Sequence, residues 1–161
     1  MSLDINDLTV DPQAFERERL LDEWQWLIEE GDLPVLLTAA GDVFTQKANK
    51  EVWLLDTCEG KYEKISDDGA AFQQSLTDVD FLMNNFHAKL VVDCRKKNIK
   101  LEAGQCYSYK HPLALGGDDI ISNIKALAID EHLKLMGKIH KQVVELPEGS
   151  KLKDIKIDLG K

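Results

Sequence analysis

The sequence predicts a single α+β domain: an antiparallel sheet of about five or six strands, with helices packed on one face and at its edge. Three observations lead there. Residues 34–65 break into short β-like runs separated by turn residues. The connections between those runs are too short for parallel crossovers. The segments that follow have mostly helical period, and no strand–helix–strand alternation appears.

Taken in order, Asp11-Pro12 reads as a helix start, an N-cap acid followed by a proline at the first helical position. Phe15, Leu20, Leu21, Trp24, Leu27 and Ile28 form an apolar stripe, and Gly31 is placed to end it, so a helix is predicted over about 12–30. Trp24 lies on the stripe and Trp26 off it. The runs PVLLT, VFTQK, EVWLLD and KYEKI then predict four strands over about 34–65. Turns fall at Gly41-Asp42, Ala48-Asn49-Lys50 and Cys58-Glu59-Gly60.

Helices are predicted over about 67–97. Phe72, Leu76, Val79, Phe81, Leu82 and Phe86 supply the first apolar face, with a break near Asp78. Leu90, Val91 and Cys94 supply the second, which ends in Arg95, Lys96 and Lys97, as suits a helix C-terminus. A strand over Gln105–Lys110, a loop over His111–Asp119 and a strand over Asn123–Ile129 follow. Asp130 is the expected cap of a helix running to about Glu145, with Leu133, Met136, Ile139, His140 and Val143 on one face. After a turn at 147–149, Leu152, Ile155 and Ile157 suggest a last short strand or a tail.

The chain has 161 residues and 18.2 kDa, enough for one domain with a sizeable core. With 43% hydrophobic and 30% charged residues, disordered and collagen-like classes are excluded. The formal charge is −9, which argues against general nucleic-acid binding. The charge is uneven: residues 1–50 hold 11 acids and 4 bases. Such a region steers basic partners. Three cysteines, Cys58, Cys94 and Cys106, with no CxxC pair, predict free thiols in a reducing compartment. The acidic N-terminus carries no secretory signal and the apolar runs are too short to span a bilayer. A cytoplasmic protein with no membrane partner is expected.

Catalytic motifs are poorly supported. Gly104-Gln105-Cys106 invites comparison with papain-type enzymes, but the following Cys-Trp is missing and Cys106 falls in a strand, not at a helix N-terminus. Gly116-Gly117-Asp118-Asp119 is superficially similar to the GGDEF box of diguanylate cyclases, without the surrounding element order. His132 and His140 share a helix face but stand about 12 Å apart along the axis, too far for one ion. No dinucleotide, P-loop or HExxH signature occurs, so no cofactor and no metal are expected. A small-ligand or enzymatic domain using the glycine loop with Cys106, His132 and His140 is the alternative to a binding protein.

The ordered strings GDVF (41–44), VWLLDTCEGKYEKI (52–65), GQCYSYKHPLALGGD (104–118), SNIKALAIDEHL (122–133) and GKIHKQVVELPEGSKL (137–152) carry a resemblance. Over about residues 10–152 the chain resembles the C-terminal domain family of type VI secretion DNase-immunity proteins, a bacterial domain. The resemblance implies a non-enzymatic immunity protein that binds and blocks a cognate secreted toxin, a nuclease with a basic cleft. It implies occlusion of that cleft by an acidic surface. The acids that cluster around the first helix end and first β-turn, Asp22, Glu23, Glu29, Glu30, Asp32 and Asp42, are the candidate toxin contacts. Most of the matched motif residues have architectural readings. Gly41 and Asp42 make a turn, Asp56 bonds the backbone of the turn ending at Gly60, Pro112, Gly116 and Gly117 shape a loop, and Asn123 ties that loop to its strand.

Overall fold

The computed structural model describes residues 3–12 and 15–147. Strands β1 (Thr9–Val10), β2 (Leu33–Thr38), β3 (Val43–Gln46), β4 (Val52–Asp56) and β5 (Lys61–Ser66) lie side by side in chain order as an antiparallel sheet. The register pairs Thr9 with Thr38, Leu37 with Val43, Val43 with Leu55 and Leu55 with Tyr62. Strands β2–β5 form the meander that the alternating runs and their turn residues predict, and the two-residue edge strand β1 has no counterpart among those runs. A second antiparallel pair, β6 (Gln105–Tyr109) and β7 (Ile124–Ala128), is tied to the large sheet by the Tyr107 N–H, 2.7 Å from the Ala39 carbonyl.

Helices α1 (Gly69–Ser75), α2 (Val79–Asn85), α3 (Ala88–Lys96) and α4 (Ile129–Glu145) complete the regular structure. The break near Asp78 is a cap: its carboxylate accepts from the Asp80 N–H at 2.9 Å. Asp68 caps α1 in the same way, accepting from Ala71 at 2.8 Å. Asp130 is not the cap of α4. Ala128 holds that position, and Asp130 sits in the first turn with its oxygen on the Glu131 N–H.

Adjacent residues of a strand point to opposite faces, and both faces of this sheet are covered. Leu37, Val43 and Leu55 pack with Trp24, Ile28, Leu133, Met136 and Ile139. Their neighbours Phe44 and Val52 pack on the other side with Phe72, Phe86, Val91 and Cys94. Helices therefore lie on two faces where the sequence suggested one. Val43, Phe44 and Thr45 are all buried in consequence.

The helix expected over 12–30 is absent from the described part of that stretch. Short 3-10 turns stand at Arg17–Arg19 and Asp22–Trp24, held by i to i−3 bonds such as Trp24 N–H to the Leu21 carbonyl at 2.9 Å. The apolar stripe is real: Leu20, Leu21, Trp24 and Ile28 are buried. Successive tight turns deliver it to the core. Trp24, on the stripe, is fully buried and Trp26, off it, is half-buried. Cys58, Cys94 and Cys106 are free thiols. Among the described residues no helix is long and apolar enough to cross a membrane. Residues Leu152, Ile155 and Ile157 lie outside the described part.

Candidate functional site

The turns of the meander are fastened to α4 by two buried histidines. Gly41 ends the β2–β3 turn with φ +90°, and a Cβ there would lie 2.4 Å from His132 Nε2. Gly60 ends the β4–β5 turn with φ +70°, and a Cβ there would lie 2.5 Å from His140 Nδ1. Each glycine leaves the space that an imidazole fills. Asp56 shapes the second turn by accepting from the N–H groups of Cys58 and Glu59 at 3.0 and 2.9 Å.

Thr57 joins the two histidines. Its carbonyl lies 2.9 Å from His140 Nε2, which must therefore carry the proton. Its N–H donates to Asp42 Oδ1 at 2.9 Å. Its hydroxyl donates within reach of the Gly41 carbonyl (2.9 Å) and Asp42 Oδ1 (3.1 Å), leaving an oxygen to accept from His132 Nε2 at 2.9 Å. Ser108 on β6 then donates to His132 Nδ1 at 2.9 Å. This neutral tautomer follows from the hydrogen-bond pattern. Burial pushes His132 down to about 4 and lowers His140 as well. His87, which precedes α3 in a left-handed conformation, reaches Asp42 from outside at 3.4 Å and is raised by that hydrogen bond.

The string Ser108–His132–Thr57–Asp42 has the residue types of a hydrolytic relay, yet Ser108 is 2% exposed and His132 5% exposed. No substrate reaches it, and it serves as a buried clasp. Cys106 is equally inaccessible, and burial raises its thiol far above its ordinary value. Neither group is an available nucleophile. His111, outside the clasp, turns its Nε2 to the Leu115 carbonyl at 3.1 Å.

The glycine loop is a second built feature. Asn123 donates to the carbonyls of His111 (2.9 Å) and Asp118 (2.8 Å) and accepts from the His111 N–H (2.9 Å). The Pro112 carbonyl accepts from Leu115 and Gly117, and a Cβ on Gly117 would fall 1.9 Å from the His111 carbonyl oxygen. Gly116 follows the short turn Leu113–Leu115 in the left-handed region. Tyr109 donates to Asp119 at 2.6 Å.

The six candidate acids separate into three groups. Asp42 is 2% exposed and belongs to the clasp, so it is withdrawn from the contact surface. The Asp32 side chain is 4% exposed, paired with Lys47 at 2.8 Å and accepting from Tyr62 at 2.8 Å, so it too is enclosed. Lys47 spans Asp32 and Glu29 (3.4 Å) over the Trp53 ring. Asp22, Glu29 and Glu30 remain open, Glu29 with an 80% exposed side chain. Glu23 is half-buried because its backbone rests on α4: its carbonyl lies 2.6 Å from where a Cβ on Gly137 would stand. Asp22 and Glu23 line a cleft of about 490 Å³ with Phe15, Glu16, Leu20 and Asp130 and with the cations Arg19, 3.8 Å from Asp22, and Lys134.

Sequence spacing could not find Thr57, Ser108 or His87, because their partners are far away in the chain. Gly41, Gly60, Thr57, Ser108 and the two histidines all stood in the quoted strings, and their pairing needed the fold. Among the described residues no group of three or more His, Cys, Asp or Glu is placed to hold a metal ion.

Residues 67–140 match the family model described as T6SS immunity protein Tdi1, C-terminal. This is the family that the strings resemble. The match runs from the start of α1 to His140 and takes in the glycine loop, Ser108, His132 and Gly137. The sheet turns that the histidines clasp, and all six candidate acids, lie before it. No curated protein matches the chain.

Proposed function

We propose that the chain is a non-enzymatic immunity protein that binds and blocks a cognate secreted toxin, a nuclease with a basic cleft, in the bacterial cytoplasm. The observation that carries this reading is the match of residues 67–140 to a type VI immunity family. Two features agree with it. The groups with catalytic residue types, Ser108, Cys106 and His132, are sealed in the core. The surface before the matched stretch keeps Asp22, Glu29 and Glu30 open to a partner. Surface acids of this kind raise the rate of encounter with a basic cleft and set its orientation.

The test is whether a secreted nuclease is encoded beside this gene and, when that nuclease is expressed in cells with and without this chain, whether the chain neutralises it and co-purifies with it. Restored growth and a complex surviving purification are expected. Toxicity unchanged by the chain, with no complex recovered, would overturn the reading.

A further inference from the structure

His87 joins α2 to α3, and its backbone stands in the left-handed region, at φ +51° and ψ +49°, which residues other than glycine seldom adopt. Its neighbours Phe86 and Ala88 are buried, Phe86 with its ring 5.0 Å from that of Phe44. The His87 side chain reaches the β2–β3 turn, where Nε2 lies 3.4 Å from Asp42 Oδ2. The other oxygen of Asp42 is taken by the N–H and hydroxyl of Thr57. Among the described residues no other basic side chain pairs with this carboxylate, which is 3% exposed. A buried carboxylate is costly unless a cation and hydrogen bonds balance it.

The His87 side chain is 44% exposed, so its proton exchanges directly with solvent. A cavity of about 190 Å³ lies beside it, lined by Leu54, Asp56, Lys61, Glu63, Asn84 and Asn85, and gives the ring room to leave. The charged groups that face the ring are mostly acidic. Asp42 faces it from the β2–β3 turn, Asp56 from the end of β4 and Asp119 from the glycine loop. Glu63 and Lys61 face the shared cavity from β5, and Lys61 is paired with Glu59 at 3.6 Å. On α3 itself, Lys89 turns to Asp93. The hydrogen bond to Asp42, with the charges of Asp42, Asp56 and Asp119, raises the imidazole above its ordinary 6.5 against the effect of burial. The ring therefore keeps its proton past the pH at which a free imidazole loses it. Burial pushes the thiols of Cys58 and Cys94 up to about 12 and about 11, beyond that range.

We propose that His87 is a proton-operated latch: its protonated ring holds the α2–α3 corner closed on the β2–β3 turn, and loss of the proton lets that corner open locally. A neutral ring no longer balances Asp42, and water entering by the cavity takes its place. Phe86 stays buried on Phe44 and keeps α2 seated, so the opening is confined to the first turn of α3 and the Asp42–Thr57 contact. The latch is independent of the partner's identity.

Amide hydrogen exchange on the full chain between about pH 6.5 and pH 9, expressed as protection factors, tests this. Two amides report the latch: Thr57, which donates to Asp42, and Val91, which donates to the His87 carbonyl at 3.2 Å. Both should exchange through an opening that low urea does not promote, because little surface is exposed, whereas Leu133 and Ile139 of α4 should exchange by urea-sensitive unfolding. Protection of Thr57 and Val91 should fall as pH rises, about ten-fold for each pH unit by which the ring's own NMR titration midpoint stands above 6.5. His87→Gln keeps a donor that cannot titrate, and should give low protection at both amides that does not change with pH. Asp42→Asn leaves Thr57 an acceptor and should bring the ring back toward its ordinary value. Wild-type protection independent of pH, the same fall in His87→Gln, or exchange of Thr57 and Val91 only by urea-sensitive unfolding would overturn the proposal. So would a ring that titrates at or below 6.5, or one unmoved by Asp42→Asn, and the wild-type titration decides the matter even where that variant does not fold.

Discussion

His132 holds both of its ring nitrogens in hydrogen bonds inside the core, and a second ring proton has no solvent to stabilise it. Burial puts its folded value at about 4, against an ordinary 6.5. Between those values the unfolded chain binds a proton that the folded chain refuses, so stability falls as pH drops from about 6.5 to about 4. His140, lowered by burial, adds to the loss. His87, raised by its hydrogen bond to Asp42, works in the opposite sense: its stabilisation is present below the unfolded value and disappears as pH rises through the folded one. The urea midpoint should therefore fall between about pH 7 and pH 4.5, and fall less in His132→Gln. An equal fall in both proteins would show that the loss does not come from His132. The glycines facing these rings are just as constrained. Gly41→Ala and Gly60→Ala each combine a left-handed backbone with a Cβ inside an imidazole, and should each cost about 2 kcal/mol or more in chemical denaturation. A cost near zero for either would mean that its histidine moves aside freely.

At the scale of elements, α4 organises the molecule. It carries both clasping histidines, accepts the Trp24 indole N–H on the Leu133 carbonyl at 2.9 Å, and lets the 22–24 turn approach at Gly137. Alanine at an exposed helix position is about 1 kcal/mol better than glycine. Gly137→Ala should nevertheless destabilise, because the new Cβ meets the Glu23 backbone. Equilibrium unfolding gives the sign, and a raised midpoint would show that the 22–24 turn is only loosely seated. The same contact explains why the N-terminal stretch was misread. Apolar residues at 20, 21, 24 and 28 satisfy a helical stripe, and i to i−3 turns satisfy it as well. What selects between them is packing on α4 through Trp24 and Glu23, and a local pattern contains no trace of it. The meander was legible because its information is local: alternating residues, turn glycines and short connections. Asp130 was misplaced as a cap by two positions, an ordinary uncertainty of helix ends.

Across the whole molecule, the acids that stay open before residue 67 lie outside the matched stretch 67–140. The acidic skew was visible in the sequence, whereas the exposure of each acid was not. Asp32 and Asp42 count as charges in composition, but their oxygens are taken by Lys47, Tyr62 and Thr57 through contacts 15 to 30 residues away. The histidine clasp was hidden for the same reason: its bonds join residues 24 to 83 positions apart. Val79 continues an apolar helical pattern that normally signals a core, yet it is 71% exposed.

The central claim is that this chain captures a basic toxin through the acids that remain open. Its most direct test is the association rate with the toxin that the growth and co-purification assay identifies, followed by stopped flow over a range of ionic strength, for the wild type and for Glu29→Lys with Glu30→Lys. Salt should slow the wild type steeply, because long-range attraction between exposed charges is screened within about 8–10 Å at physiological salt. The variant should associate more slowly at low salt and with a shallower salt slope. Identical rates and slopes for the two proteins would contradict the claim, since the open acids would then take no part in the encounter.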